Sequence, residues 1–285
     1  MKFKIIIVIA LVLLVTVSCK QKKGQGEKQI QKTAEYELVD LGSGILVEQF
    51  DSIVKDENKY NRNNKVFKVG NVFEYAFKHI TVDGKTKYYK IDEDKIWDFV
   101  EEVDQDSTTI TSVKISVQDE NAMARHIPDY NQTNLKYLID KNIGYSTSGA
   151  IENEANIWIH PPRDRYFEIL ELNPFPYIKL PAKIGDSWTW NLRIGDGWSD
   201  HRWKVWEGQI ENNYEYKITD KRNISTEFGK LKCLVVESNA KSRIGETKLT
   251  SYFHNKYGFV KLEYTNIDGS KTILELVNFK TKDDK

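Results

Sequence analysis

The densest group of side chains that could do chemistry lies at residues 160–165, where the sequence reads His-Pro-Pro-Arg-Asp-Arg. Arg163 and Arg165 could bind a carboxylate or phosphate through paired hydrogen bonds, and His160 could donate or accept a proton. The alternative is structural, with the arginines pairing to nearby carboxylates such as Asp164 and holding this segment against the rest of the fold. The sequence therefore offers one polar candidate site without assigning a reaction to it.

Aromatic side chains form a second candidate site, because five of the seven tryptophans fall within 19 residues: Trp188, Trp190, Trp198, Trp203 and Trp206. Alternate residues of a strand share a face, so we expect Trp188 and Trp190 on the same side. Residues three apart face opposite sides of a regular strand, so at least one of Trp203 and Trp206 is expected outside a single core layer. Such a residue could contribute to a platform for a glycan, a lipid or a protein. The alternative is that both faces of this sheet are covered.

Signatures of metal and cofactor sites are missing from the sequence. The five histidines and two cysteines have no spacing typical of zinc ligands, and there is no G-x-S-x-G, P-loop or G-x-G-x-x-G motif. We therefore expect no metal ion and no cofactor. Catalysis is the less favoured hypothesis, and its best form is an envelope hydrolase that uses His160 and Arg163.

The first 19 residues have the layout of an export signal. Lys2 and Lys4 precede an apolar run over residues 5–17, and Ser18 and Cys19 follow it. A membrane-spanning helix needs about 20 apolar residues, and this run is shorter. The pattern predicts a signal peptide at residues 1–18.

The Val-Thr-Val-Ser-Cys sequence at residues 15–19 resembles the lipobox of bacterial lipoproteins, although Thr16 stands where leucine is commoner. The resemblance implies cleavage before Cys19 and attachment of fatty acids such as palmitate at that residue. By analogy with enteric bacteria, Lys20 after the cysteine implies sorting to the outer membrane, with the leaflet left open. The alternatives are an uncleaved anchor and a signal that is not lipidated.

Residues 19–34 are predicted to form the lipidated cysteine and a flexible tether. Residues 20–34 contain five lysines, one glutamate and two glycines, with almost nothing to bury. The whole chain has 42 basic and 42 acidic residues, but residues 35–285 hold 35 basic and 41 acidic ones. The folded part is therefore mildly acidic, and we expect no nucleic-acid partner.

Short β-branched and aromatic runs dominate the rest of the chain and predict a mostly β fold. Two hairpins with Asp-Gly turns are expected, at residues 66–91 and 257–277, and a half-buried strand is expected within residues 107–117. Helical periodicity is scarce, so we expect at most one or two short helices. The best candidate is Asn131 to Asn142.

Two antiparallel β lobes are expected, because residues 68–75 and 183–190 are similar at an offset of 115. The same offset pairs Phe99 with Tyr214 and Val103 with Ile218. Five of the six prolines lie within 21 residues, at 161–181, and oppose a central strand there. This proline-rich crossover is expected to pack on the lobes. The predicted divisions are residues 35–174 and 175–280, followed by a polar tail at 281–285.

The second lobe resembles uncharacterised bacterial envelope lipoproteins. The resemblance rests on G-D-S-W at residues 185–188, G-K-L-K-C at 229–233, Y-F at 252–253 and Y-G-F-V-K at 257–261. It covers about 100 residues and implies curved antiparallel sheets of half-barrel or lipocalin-like shape. The motifs consist of turn glycines and core aromatics, so no catalytic residue is carried over. Cys233, in an apolar run, is expected to be a buried hydrophobic residue.

Together these features predict a lipid-anchored protein of the cell envelope, in the outer membrane facing the periplasm or the exterior. We expect a non-catalytic binding or scaffolding module for an apolar ligand, a glycan or an envelope protein. Alternatives are the hydrolase described above and a structural subunit of an outer-membrane complex.

Replacement of the predicted lipidated cysteine tests the anchor. In a Cys19→Ala variant we expect no incorporation of labelled fatty acid and release from the membrane fraction, because the acylated residue is gone. The measurement is metabolic labelling followed by fractionation, with Cys233→Ala as the control. Continued labelling of the Cys19→Ala variant would contradict the lipoprotein assignment.

Overall fold

The computed structural model describes residues 34–103, 108–127, 130–139 and 144–284. The predicted signal peptide and Cys19 lie outside the described residues. The strands are β1 Tyr36–Asp40, β2 Leu46–Phe50, β3 Val72–Ile80, β4 Thr86–Ile91, β5 Trp97–Val100, β6 Thr109–Ile110, β7 Ser112–Val117, β8 Thr133–Ile139, β9 Tyr145–Glu152, β10 Asn156–Ile159, β11 Tyr177–Lys179, β12 Ser187–Ile194, β13 Ile210–Thr226, β14 Gly229–Ser242, β15 Gly245–His254, β16 Gly258–Thr265 and β17 Lys271–Lys280. Helix α1 is Ala122–His126, and 3-10 turns occupy Lys59–Asn61, Arg165–Leu172, Asp196–Trp198 and Lys282–Asp284.

One antiparallel sheet organises the fold and nearly closes into a barrel. Its main path runs β11-β10-β9-β8-β7-β3-β17-β16-β15-β14-β13-β12, while β4, β5 and β6 extend from β3, and β1 pairs only with β2. The expected mostly β, antiparallel fold is confirmed. Residue 175 is the predicted boundary between the two lobes. The pairing of β17 with β3 joins strands from the two sides of this boundary, so the two predicted lobes are halves of one sheet. Residues 34–285 form one compact unit.

Alternating burial explains why these segments are strands. In β13 every second residue from Ile210 to Ile218 is buried, while the residues between them are exposed. Both predicted hairpins are present, as β3-β4 and β16-β17. Gly84 and Gly269 have φ of 83° and 84°, which is the conformation that an Asp-Gly turn requires. The half-buried strand expected within residues 107–117 is also present, as β7.

The predicted helix at Asn131–Asn142 is wrong. Residues Thr133–Ile139 form strand β8, which pairs with β7 and β9. Leu135, Tyr137 and Ile139 are buried at every second position, whereas the helical prediction relied on Leu135, Leu138 and Ile139. Pairing on both edges overrides the short helical pattern.

The internal repeat holds locally. Gly70 and Gly185 have φ of 91° and 96°, and their amides donate to the carbonyls of Val117 and Ile218. The register places Tyr75 opposite Val113 and Trp190 opposite Tyr214. In the first half, β4, β5 and β6 separate the paired strands β3 and β7 along the chain, whereas in the second half β13 directly follows its partner β12 as the next strand. The predicted match of Phe99 with Tyr214 is therefore wrong.

The proline-rich crossover packs against the inner face of the sheet instead of lying on its surface. Phe167 contacts Phe77 of β3, with ring centroids 5.2 Å apart, and Phe175 contacts Trp190 of β12 at 5.4 Å. Polar contacts orient it, since Asn173 Nδ2 donates to the carbonyls of Lys248 and Thr265. The barrel interior is thus filled by the chain's own crossover.

The β1-β2 hairpin packs where the barrel is not closed by backbone pairing. Strands β11 and β12 end the sheet on either side, and no ladder joins them. Tyr177 OH of β11 donates to the carbonyl of Gly44 in the hairpin tip. A Cβ built on Gly44 would lie 3.6 Å from Trp190 Cδ1 of β12. The hairpin therefore touches both ends of the sheet.

A buried carboxylate fixes the loop that follows the hairpin. Glu152 is 5% exposed and accepts hydrogen bonds from the amides of Lys65, Val66 and Phe67, at 2.8 to 3.1 Å. Asn64 Nδ2 donates to the carbonyl of Phe67 and secures the same turn. Three backbone donors satisfied by one charged acceptor make this contact a strong constraint.

Replacement of Glu152 by glutamine tests this constraint. We expect the Glu152→Gln variant to lose about 3 kcal/mol of unfolding free energy, because a neutral amide is a weaker acceptor and presents its own donors to backbone amides. The measurement is urea unfolding, with Glu154→Gln as the control, expected to lose less than about 1 kcal/mol. Equal losses in the two variants would contradict the assignment.

Candidate functional site

The tryptophan candidates from the sequence are mostly core residues. Trp188 and Trp190 share the inner face of β12, as expected, and are 9% and 6% exposed. They stack on Tyr216 and Tyr214 of β13, with centroids 5.3 and 4.8 Å apart. These two rings therefore stabilise the barrel interior and do not present an exposed platform.

Trp203 and Trp206 are both buried, at 8% and 5% exposed, in agreement with the alternative that both faces are covered. Residues 201–209 form turns and irregular chain, in which the period-2 alternation of a strand does not apply. The Trp203 ring stacks on Trp97 of β5, and Arg202 Cζ lies 3.7 Å from the Trp97 ring centroid. Trp198, half-buried, accepts a hydrogen bond at its carbonyl from Trp203 Nε1.

The residues of the polar candidate site separate in space. Arg163 donates to the carbonyl of Thr147 on β9, whereas Arg165 pairs with Asp164. His160 faces a third partner, Glu171, with Nε2 3.3 Å from Oε1. The two guanidinium groups are thus engaged locally, as the structural alternative predicted.

His160 and Glu171 meet beside the crossover. His160 Nδ1 lies 2.8 Å from the carbonyl of Pro161, which can only accept, so Nδ1 donates to it. Glu171 is 3% exposed, His160 is half-buried, and Phe175 packs on the imidazole, with ring centroids 4.6 Å apart. The pair therefore has the character of a structural contact.

A surface groove beside the β1-β2 hairpin, here called the hairpin groove, is the best-formed site. It encloses about 560 Å³. Its lining comes from the hairpin, from the chain after it and from Asn131, and includes Val39, Leu41, Val47, Ile53 and Tyr60. Leu41 and Ile53 are 63% and 94% exposed, which is unusual for large apolar side chains. The lining is mixed, with seven apolar or aromatic residues and six polar or charged ones.

Glu48 supplies a titratable group to the hairpin groove. It lies on β2, lines the groove and is 6% exposed. Burial raises the pKa of Glu48 to about 7; the hydrogen bond from Asn153 Nδ2, at 3.5 Å, opposes this, and the charge of Glu154 adds to it. A carboxyl that titrates near neutrality in a groove is a candidate for ligand recognition.

Sequence reasoning missed the hairpin groove. The signal that could have found it is Leu-Val-Asp followed by Leu-Val-Glu, at residues 38–40 and 46–48, around a Gly-Ser-Gly turn. That pattern predicts a hairpin with one carboxylate in an otherwise apolar position. Cys233, by contrast, is buried as expected, and burial raises the pKa of its thiol to about 11.

The part of the chain that the structure describes contains neither a metal-binding cluster nor a helix that could cross a membrane. No group of three or more His, Cys, Asp or Glu side chains there could hold a metal ion. Within the same residues, no helix has the length and apolar composition needed to cross a membrane.

Comparison with solved structures gives several chains of similar fold, among them the following three. A Bacteroides fragilis protein named as a candidate exported protein with a YmcC-like fold has a TM-score of 0.41 and 13% identity, over 75% of this chain and 97% of that one. A candidate lipoprotein from Parabacteroides distasonis has a TM-score of 0.42 and 11% identity, over 77% and 100%. The hypothetical lipoprotein YmcC from Escherichia coli has a TM-score of 0.34 and 9% identity, over 77% and 91%.

No protein-family model matches the chain, and no curated protein matches it. Likenesses at these TM-scores do not assign a function.

The raised pKa of Glu48 predicts a pH dependence of stability. Between about pH 4.5 and pH 7 the folded protein keeps the proton that the unfolded chain releases, so the unfolding free energy falls as pH rises through this window. The full effect is about 3 kcal/mol. In a Glu48→Gln variant we expect this fall to disappear.

The measurement is urea unfolding at pH 4.5, 5.5, 6.5 and 7.5. The control is Glu215→Gln, an exposed carboxylate on β13. A Glu48→Gln variant with the same pH profile as the unmodified protein would show that Glu48 ionises normally in the fold.

Proposed function

We propose that this chain is a lipid-anchored protein of the bacterial cell envelope, held in the outer membrane by acylated Cys19, and that it works as a non-catalytic binding module. Its recognition site is the hairpin groove. The observation that carries the proposal is the combination of exposed Leu41 and Ile53 with buried Glu48 around one cavity of about 560 Å³. The anchor is supported by the apolar run and the lipobox-like residues 15–19.

The barrel interior is a poorer candidate for a carried ligand. Tyr166, Phe167, Leu170 and Phe175 of the crossover are each at most 2% exposed and occupy the space that a lipocalin-like carrier would leave open. An apolar ligand would have to displace this whole segment and its hydrogen bonds. A groove on the outside of the barrel imposes no such cost.

The hydrolase alternative has less support than the binding module. His160 and Glu171 form a structural contact, and Arg163 binds a backbone carbonyl. None of these three side chains lines the hairpin groove.

Photocrosslinking in the native envelope tests the binding module. A benzophenone amino acid at Gln49, an exposed position in the hairpin groove, is expected to give a discrete covalent adduct on irradiation of intact cells. The control position is Thr189, which is exposed and lines two other cavities on β12. Mass spectrometry identifies the adduct. The same adducts at both positions, or none at Gln49, would contradict the proposed site.

A further inference from the structure

The net negative charge of the folded part of the chain is confined to the hairpin and the residues next to it. Residues 35–57 hold seven acidic residues and one basic residue, whereas residues 58–285 hold 34 of each. The formal charge of −6 carried by residues 35–285 therefore equals that of residues 35–57 alone. The barrel residues that follow are therefore neutral overall, and the excess of acidic residues lies in one short segment.

Three of these acids lie at one end of the hairpin, next to residues that line the groove. Glu37 shares a face with Val39 and pairs with Gln49, and both of these residues line the groove. Asp51 lines the groove directly, and its amide donates to the carbonyl of Glu35 at 2.9 Å, which places these two residues side by side just beyond the strands. Like charges next to each other destabilise a β ladder.

These acids lack counter-charges within the described parts of the chain. Glu35, Glu37 and Asp51 are exposed, and none forms an ion pair with another described residue. By contrast, Asp56 and Glu57 pair with Arg62 and Arg125. The carboxylates of Glu35, Glu37 and Asp51 are therefore available to pair with a positively charged ligand.

Lys59, a cation that lines the hairpin groove, forms no ion pair with these acids. Lys59 Nζ lies 5.0 Å from the ring centroid of Tyr60 and 5.7 Å from that of Phe50. The ammonium group is thus held over aromatic faces, a contact that a cationic ligand can also make. Apolar walls, aromatic rings and free carboxylates together select for a ligand that is both apolar and positively charged.

From this charge pattern we propose that the hairpin groove binds an extended polypeptide segment of a partner protein in which lysine or arginine side chains alternate with apolar ones. The inference rests on the proposed function, because it names the ligand class of the same groove. Fatty acids and anionic lipids carry the wrong charge for this site. Neutral glycans offer neither the cations for Asp51 nor the aliphatic side chains for Leu41 and Ile53.

Three fluorescein-labelled nine-residue peptides test the inference, with leucine alternating with lysine, with serine or with glutamate. Fluorescence anisotropy with the soluble protein starting at residue 20 is expected to show binding of the lysine peptide at least tenfold tighter than the serine peptide. The glutamate peptide is expected to bind weakest. The affinity for the lysine peptide is expected to fall as salt increases from 50 to 500 mM.

Variants locate the binding. Asp51→Asn combined with Glu48→Gln is expected to weaken binding of the lysine peptide about tenfold, whereas Glu215→Gln combined with Glu237→Gln removes two exposed acids elsewhere and is expected to leave it unchanged. Asp51→Asn alone, at an exposed position, keeps the test valid if the double variant unfolds, and is expected to weaken binding about threefold.

The two ways of failing are distinct. Equal binding of the lysine and serine peptides, lost on the Leu41→Ser substitution, would overturn the charge selection and leave the groove as a binding site. Absence of binding by all three peptides would overturn the proposed function together with the inference. The inference would also be overturned if the lysine peptide lost more affinity from Glu215→Gln with Glu237→Gln than from Asp51→Asn with Glu48→Gln.

Discussion

The inner face of the large curved sheet must be covered, and this requirement determines both the path of the crossover and the place of the recognition site. Aromatic side chains at every second position of β3, β12 and β13 must leave water, because apolar burial is the main force in folding. A barrel of this many strands encloses more space than its own inward side chains fill. The chain fills it with the crossover, which pairs as a strand only at the sheet edge, in β11, and whose aromatic residues pack against both halves of the sheet.

Filling the interior in this way moves recognition to the outside of the barrel. The crossover is fixed by hydrogen bonds from Asn173 and Tyr216 as well as by packing, so opening it would break polar contacts and expose aromatic surface together. The β1-β2 hairpin is not part of the large sheet. The segment at residues 35–57, which contains it, carries the exposed apolar side chains of the groove and the net charge of the fold. Its base is held by Glu152 through the loop that supplies Tyr60 to the groove.

Sequence periodicity predicted the elements with strong alternation and clear turns, such as the two Asp-Gly hairpins and β7. It failed at β8, because four apolar residues in seven fit a helical face as well as a strand, and only pairing on both edges decides between them. The burial of Trp203 and Trp206 could not be predicted, since it depends on Trp97, more than 100 residues away, and on an irregular segment. The groove was missed for a similar reason: the environment of Glu48 is set by Asn153 and by the loop after the hairpin, which are distant in sequence.

The central claim is that the crossover closes the interior and that ligands bind at the hairpin groove. Hydrogen exchange of the soluble protein, followed by mass spectrometry with and without the lysine-leucine peptide, tests both parts at once. The account predicts slow exchange in residues 165–178 under both conditions and peptide-dependent protection confined to residues 36–60. Fast exchange in residues 165–178, or protection there on adding the peptide, would contradict it.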